Sequence, residues 1–402
     1  MSGYLVLFVS SHTLSTADNA NFLAFWGVIL GLFGALTGLM AEATRAVKSR
    51  AMNAYHSHER GAPVLAMSII MGLVIALLVT SSSPWWMPTL IPYAHPFLWI
   101  AIGLAVLLYA GHVGLAGATS GAEEWTTYSV LSGTEAIIRL ATTALAALVF
   151  GSLAGIEFAV LSGTLVWLFF AVFSRAGRVA VGARADVGVR RYLIQCSLAI
   201  ATAAASAVLI TGFPAVIKFV AEPSDFAKAA PLLLAISLTR APIMIPLQAF
   251  QGVVMTALIN SSRPAYQVLA KPLAVIMLLG VIGSAAAALV GPSLMLIFGA
   301  DYSVSGWILG ALTLDAALLA VLTLTGTSAM ALGRHKLYLA GWIIATVAAA
   351  TMLLLPLPLE ATVILSLSVG PIVGALIHAV GIATTGKPSI PVLSTTETTE
   401  AL

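Results

Sequence analysis

Charge is what this chain has least of. Asp, Glu, Lys and Arg together make up 8% of its 402 residues, against about 25% in an ordinary soluble domain. So small a complement cannot cover a water-facing surface, and a soluble enzyme is excluded. The net charge of +3 gives no basic footprint for nucleic acid, and none is expected as a partner. Cys196 is the only cysteine, which excludes an internal disulfide and any multi-cysteine metal or iron–sulfur centre. No Walker loop, no G-x-S-x-G and no G-x-G-x-x-G in a strand-to-helix context is present, and no His/Cys/Asp/Glu spacing resembles a metal site. His56 and His58 fall in one connection, His95 in another, and His112 and His378 stand singly in apolar runs. No catalytic residue, metal or bound cofactor is assigned, and the chain reads as no enzyme.

What is abundant is hydrocarbon. Hydrophobic residues make up 60% of the chain and mean hydropathy is +1.04. Apolar runs long enough to span a bilayer recur along the whole length. They lie at approximately 1–14, 20–47, 61–81, 95–117, 126–149, 155–174, 191–212, 228–258, 265–290, 304–328, 337–355 and 359–382. Backbone groups in lipid must be satisfied within each segment, so runs of this length are helices. The fold class expected is all-α, polytopic, with about twelve transmembrane helices. The first run is too short for a full span of about 20 residues. It is either a tilted or capped helix, or its beginning lies upstream of Met1. No basic residue precedes Met1–Leu14 and no small-residue cleavage pattern follows it, unlike a cleaved signal peptide.

Basic residues set the orientation. With both termini cytoplasmic, the inner connections hold Lys48, Arg50, Arg60, Arg175, Arg178, Arg184, Arg190, Arg191, Arg263, Lys271, Arg334, Lys336 and Lys387. The outer ones hold only Lys218 and Lys228. This is a strong positive-inside bias, which sets the orientation; the location expected is a cytoplasmic (inner) membrane. The expected outer loop Ser81–His95 carries Trp85, Trp86 and Tyr93, suited to an aromatic belt.

The longest basic connection, Ser174–Arg191, divides the spans six and six. The domains expected are a six-helix bundle over 1–173, a basic cytoplasmic linker over 174–191, a second six-helix bundle over 192–384 and a disordered Ser/Thr/Pro-rich tail over 385–402. Thr16–Arg45 and Pro223–Gly252 each begin with an Asp (Asp18, Asp225) and run into a long helix. Ala116–Tyr128 and Ser328–Ala340 share a short turn, starting at Gly121 and Gly333. Two like-oriented halves suggest a transporter with a path between them; chance similarity of apolar helices is the alternative.

Charges inside spans need a reason. Arg240 lies midway along the eighth span, before Pro242 and Pro246, which should bend that helix. It is read as an anion-binding arginine facing a cavity, with satisfaction by a neighbouring acid as the other possibility. Gln248 and Gln251 follow on the same span and either line the path or pack. Glu42 and Arg45, three apart, and Glu135 and Arg139, four apart, can pair on their helix faces. Arg45 suits a phosphate or a helix end equally. Asp315 has no local partner and is open between protonation, pairing with Arg139 or Arg240, and carrying a coupling ion. Gly31, Gly34 and Gly38 form a small-residue face read as close helix packing.

Asn19-Ala-Asn-Phe-Leu-Ala-Phe-Trp, the stretch Gly31–Gly38 and Gly-Leu-Met-Ala-Glu-Ala-Thr-Arg ending at Arg45 resemble the first two helices of Wzx-type polysaccharide-biosynthesis flippases. These belong to the multidrug/oligosaccharidyl-lipid/polysaccharide (MOP) exporter superfamily. Glu135–Arg139 matches loosely, and the twelve-helix, six-plus-six topology covers the whole chain. The resemblance implies a MATE/MOP-like pair of pseudo-symmetric bundles around a V-shaped cavity. It also implies flipping of a polyprenyl-pyrophosphate-linked oligosaccharide by alternating access, for cell-envelope polysaccharide. On that reading Arg240, then Arg45, then Arg139 contact the head group, and Glu42, Asp315 and Glu135 serve gating or ion coupling, with H+ or Na+ as the coupling ion. Partners would be the lipid-linked glycan, membrane lipids and glycan-assembly proteins. The alternative is a cation-coupled multidrug antiporter of the same fold. The short outer loops make a membrane-embedded glycosyltransferase or polymerase a lesser alternative, and a non-transporting scaffold of a glycan-assembly complex is a further one.

Overall fold

The computed structural model describes residues 2–52, 61–92, 95, 97–261 and 263–384. His56, His58, Arg60, Tyr93, Lys387 and the tail from 385 lie outside them.

The described chain is helical throughout, with one isolated antiparallel bridge between Pro63 and Arg184. The first half holds α1 (Ser2–Thr13), α2 (Thr16–Met52), α3 (Val64–Leu90), α4 (Leu98–Gly121), α5 (Trp125–Val149), α6 (Leu153–Ala159), α7 (Val166–Phe173) and α8 (Arg175–Val181). The second holds α9 (Val189–Ile210), α10 (Phe213–Val220), α11 (Pro223–Phe226), α12 (Ala230–Asn260), α13 (Ala265–Met295), α14 (Gly306–Ala331), α15 (His335–Leu353) and α16 (Leu359–Thr384). Among the described residues, 11 helical segments are long and apolar enough to cross a membrane. Their outward faces carry bare Leu, Ile, Val and Phe, as on α13 with Leu278, Ile282 and Leu289, which only lipid solvates well. The chain is a multi-pass membrane protein.

The twelfth expected span is α1, whose 12 residues reach about 18 Å at 1.5 Å per residue, short of a hydrocarbon core about 30 Å thick. It is a half-span. Three other segments depart from expectation, each for a local reason. The third helix does not stop at residue 81 but continues through Pro84 and Pro88 to Leu90, so Trp85 and Trp86 belong to a helix and not a loop. A proline in a helix leaves the carbonyl four residues back without its N–H; Ser83 Oγ donates to that carbonyl, Thr80 O, at 2.7 Å. The sixth span is broken into α6 and α7 around Gly163, whose lack of a side chain admits Glu135 and Arg139 of α5. The seventh ends at Ile210, as its run implies, but the outer connection after it holds the short helix α10, so Lys218 sits in a helix.

The internal repeat is visible in backbone hydrogen bonds. After α4, Ala122 N donates to Ala118 O, Glu123 N to Ser120 O and Glu124 N to Thr119 O. After α14, Leu332 N donates to Ser328 O, Gly333 N to Met330 O and Arg334 N to Ala329 O. Every partner in the second set lies 210 positions after its counterpart (123 to 333). The turn residue equivalent to Gly333 is therefore Glu123, not Gly121. Both hold a left-handed backbone, φ 62° at Glu123 and 73° at Gly333.

Within the first half α3 packs on α4, and α2 on α4; within the second, α13 packs on α14, and α15 and α14 on α16. The halves meet along α2, which runs beside α9 and α10. The glycine face serves this contact: a Cβ on Gly31 would meet Gly212, on Gly34 Ala207, and on Gly38 the Ala199 carbonyl. One end of the molecule, the basic face, carries Lys48, Arg50, Arg184 and Arg334. There the segment after α2 is tied to the linker by Ala62 N to Val187 O at 2.9 Å, Ala185 N to Ala62 O at 2.8 Å and Val64 N to Ala183 O at 3.1 Å.

Candidate functional site

At the opposite face the two halves are clasped. Asn19 Nδ2 of α2 donates to Tyr302 Oη at 2.5 Å, and Lys218 Nζ of α10 donates to Asn21 Oδ1 at 3.0 Å. Lys218 also lies 4.1 Å over the Phe226 ring. Burial pushes its ammonium below the usual lysine value, because desolvation disfavours the charged form. Phe8 of α1 meets Phe298, which follows α13, edge-on at 5.9 Å. Towards the basic face the pairing differs. α5 packs on α1, α4, α6 and α7, all from its own half. α12 there buries Met244, Leu247, Val254 and Leu258 and leaves Ile245, Phe250 and Val253 exposed. α5 and α12 thus come from opposite halves and make no extensive contact with each other among the described residues.

The first turn of α1 lies between two arginines from opposite halves, one bonded to Ser2 and the other within electrostatic reach of Tyr4. Arg139 of α5 binds Glu135 Oε1 at 2.7 Å, donates to Ser2 Oγ at 3.2 Å and lies 5.7 Å from the Trp26 ring centroid. Its Nε has no acceptor among the described residues. Arg240 of α12, 8% exposed, donates through Nη1 to Leu209 O at 3.0 Å and Ile210 O at 2.8 Å. These are terminal carbonyls of α9, left without donors at the helix end and negative by the helix dipole. The other arm, Nη2, is buried without an acceptor among the described residues. Tyr4 of α1 and Asp315 of α14 lie within electrostatic reach of this guanidinium.

Asp315 is 3% exposed. It accepts from Ser368 Oγ of α16 at 2.5 Å, and its Oδ2 is buried with no donor among the described residues. No ion pair joins it to Arg240 or Arg139 among the described residues. Gln248 is exposed and Gln251 half-buried on α12, beyond Pro242 and Pro246, and the helix runs unbroken through both prolines.

Glu42 and Arg45 pair as their spacing suggests, at 2.6 Å, but at the basic face and not beside the other arginines. Arg45 also binds Asp186 of the linker at 2.9 Å and Gln195 of α9 at 3.3 Å. Burial alone would raise the Asp186 carboxyl, but hydrogen bonds from Arg45 and Ser49 outweigh it and hold it below the usual carboxylate range. The structure brings Arg139, Glu135 and Arg240 to the start of α1, with Asp315 within electrostatic reach of Arg240, and sets Glu42 and Arg45 apart. Sequence reasoning missed Ser2, Tyr4 and Trp26, which carry no signal of their own. It also missed Asp186, the lone acid of a basic linker, and Glu157, an intramembrane acid as conspicuous as Asp315. Among the described residues no group of three or more His, Cys, Asp or Glu residues is placed to hold a metal.

No family model matches the chain. It is 35% identical over 384 residues to the uncharacterized protein Rv1510 of Mycobacterium tuberculosis, covering 94% of this chain and 88% of that protein. It is 33% identical over 391 residues to the uncharacterized protein Mb3654 of Mycobacterium bovis, covering 96% and 90%. Among solved structures it superposes on an inward-facing multidrug resistance MATE family transporter of the MOP superfamily with a TM-score of 0.71, at 15% identity over 95% of this chain and 94% of that one. The lipid II flippase MurJ, in an inward closed conformation, superposes with a TM-score of 0.63 at 16% identity, over 95% of this chain and 86% of the other. The chain belongs to the family of these mycobacterial proteins, and that family has the two-bundle fold of the MATE and MOP-superfamily transporters.

Proposed function

We propose that this membrane transporter is a Wzx-like flippase that moves a polyprenyl-pyrophosphate-linked oligosaccharide from the cytoplasmic to the outer leaflet of the inner membrane. The basic face is then cytoplasmic by the positive-inside rule, with both termini on that side. The supporting observation is the pair of arginines, one from each half, Arg240 buried and Arg139 half-buried, flanking the start of α1, each with a buried guanidinium nitrogen that has no acceptor among the described residues. A pyrophosphate has charge and acceptors for both. Arginine's fixed charge and planar fork suit an anion that must shed water, and the lipid tail can stay in the bilayer alongside. Arg139 and Arg240 rank first as head-group contacts, with Gln248 and Gln251 along the approach from the basic face. Arg45 is engaged by two carboxylates and serves the clasp between α2 and the linker. Glu135 and Asp315 are the acids placed to release an arginine or take a coupling H+ or Na+. These buried acids are also what a cation-coupled drug antiporter would use, which keeps that reading as the second.

The test is transport of a pyrophosphate-linked glycan lipid by the protein reconstituted in vesicles. Arg139→Ala and Arg240→Lys should each slow it by about tenfold or more, the worth of a charge-assisted hydrogen bond in the moving state. Lysine at 240 keeps the charge on the α9 carbonyls and removes only the second arm. Unchanged lipid transport in both variants, or uptake of an organic cation with no lipid movement, would sink this reading.

A further inference from the structure

The second half carries a cavity in which the arginines at the start of α1 take no part. It lies at the face opposite the basic one and measures about 330 Å3, at the small end of ligand-binding cavities, roughly 300–1,000 Å3. α14 packs on both α12 and α16, and the starts of these three helices wall the cavity. Asp225 and Lys228 come from just before α12, Ser303 and Ser305 from just before α14, and Glu360 from the first turn of α16. All five are exposed, whereas Leu232 and Val304 of the same lining are buried. No ion pair joins Lys228 to either acid among the described residues. Ser305 stands at the N-cap position of α14, where serine usually caps, yet its side chain makes no capping bond. Its hydroxyl stays available.

The mixture of groups decides the ligand. Two carboxylates against one ammonium repel a phosphate or any other anion. The ammonium in turn opposes a divalent cation, and among the described residues no group of three or more His, Cys, Asp or Glu residues is placed to hold a metal. A neutral polyhydroxylated ring meets neither objection. Its hydroxyls can donate to Asp225 and Glu360, accept from Lys228 and do either with the two serines. Its C–H face can lie on Leu232 and Val304. We infer that this cavity is a sugar-binding site, sized for a single unit of a glycan. It adjoins the clasp: Ser303 follows Tyr302, which Asn19 holds, and Asp225 precedes Phe226, whose ring Lys218 covers. On the flippase reading, the site receives a sugar unit of the glycan at the outer leaflet. That role alone rests on the flippase reading; the binding of sugar does not.

The experiment is ligand-observed saturation-transfer NMR of the methyl glycosides of glucose, galactose and mannose with the purified full-length protein in nanodiscs. No lipid-linked glycan is present, so the result does not depend on transport. A saturable signal from at least one of these sugars is expected. Glu360→Gln should weaken its binding about tenfold, the worth of one charge-assisted hydrogen bond. Ser305→Trp, which fills the cavity, should abolish it. Both positions are exposed, and an unchanged Tm verifies that each variant keeps the fold. No saturable signal from any of the sugars overturns the proposal. So does a signal that either variant leaves unchanged, or one that inorganic pyrophosphate displaces, which would make the cavity an anion site. Sugar binding without lipid transport would sink the flippase reading and keep the site, and lipid transport without sugar binding would do the reverse.

Discussion

Glu123 and Gly333 occupy equivalent places in the two halves, both with φ in the left-handed region. Glycine takes that conformation freely, whereas any side chain costs about 1 kcal/mol there. Glu123 sits opposite Lys48 at 3.3 Å, with both side chains exposed, a pair that contributes little. Glu123→Gly should therefore be neutral to stabilising, by up to about 1 kcal/mol, and Gly333→Ala destabilising by about the same amount. Thermal unfolding in detergent of the two variants checks the opposite signs. At this scale, what depends on sequence spacing was readable: Glu42 with Arg45 and Glu135 with Arg139. The acceptors of Arg240 were not, because they are carbonyls 30 and 31 residues away, and a backbone carbonyl looks alike at every position.

Between elements, the decisive contact is α2 on α9 and α10. Gly31, Gly34 and Gly38 lie on one face, and a Cβ at Gly38 would overlap the Ala199 carbonyl, which is backbone and cannot swing aside. Gly38→Val should cost about 1–3 kcal/mol as the helices are forced apart, measured as a fall in Tm. A loss no larger than that of a surface substitution would show that the helices do not approach this closely. The linker is held to α2 by Arg45 and Asp186. Because the folded carboxyl of Asp186 is held low, its contribution is fully present above the unfolded value near 4. It is lost as pH falls through the lower, folded value. Asp186→Asn should remove this acid-dependent loss while leaving stability at neutral pH only slightly reduced, as seen in Tm against pH. The glycine face was legible as a packing stripe. The end of α9 at Thr211–Gly212 was legible as the end of its apolar run; the break at Gly163 was not, since hydropathy continues across it while the break answers to side chains arriving from α5.

For the whole molecule, the proposed alternating access would require the opposite-face clasp to part. Joining Asn21→Cys to Lys218→Cys with a short cross-linker should stop transport in reconstituted vesicles, and cleaving the linker should restore it. Transport that persists in the joined protein would mean that the path does not run between the halves. Some features of this scale were written locally in the sequence: the lipid solvent, eleven of the twelve expected spans, and the two like halves. Hydropathy and the distribution of Lys and Arg are properties of each segment by itself, so neither needs tertiary information. The shortness of the first helix was legible in the same way.

What the chain determines by itself is a bilayer-embedded pair of helical bundles with a few ionisable groups inside, because burying backbone and hydrocarbon in lipid leaves no other choice. Which of those groups are neutralised, which helix ends they cap and which keep a free arm was decided only by tertiary structure. Arg45 and Arg240 are the same residue type in similar apolar helices. One meets carboxylates at a surface and the other meets carbonyls at a helix end. Coulomb and hydrogen-bond energies fall off within a few ångströms, so only the folded positions distinguish them.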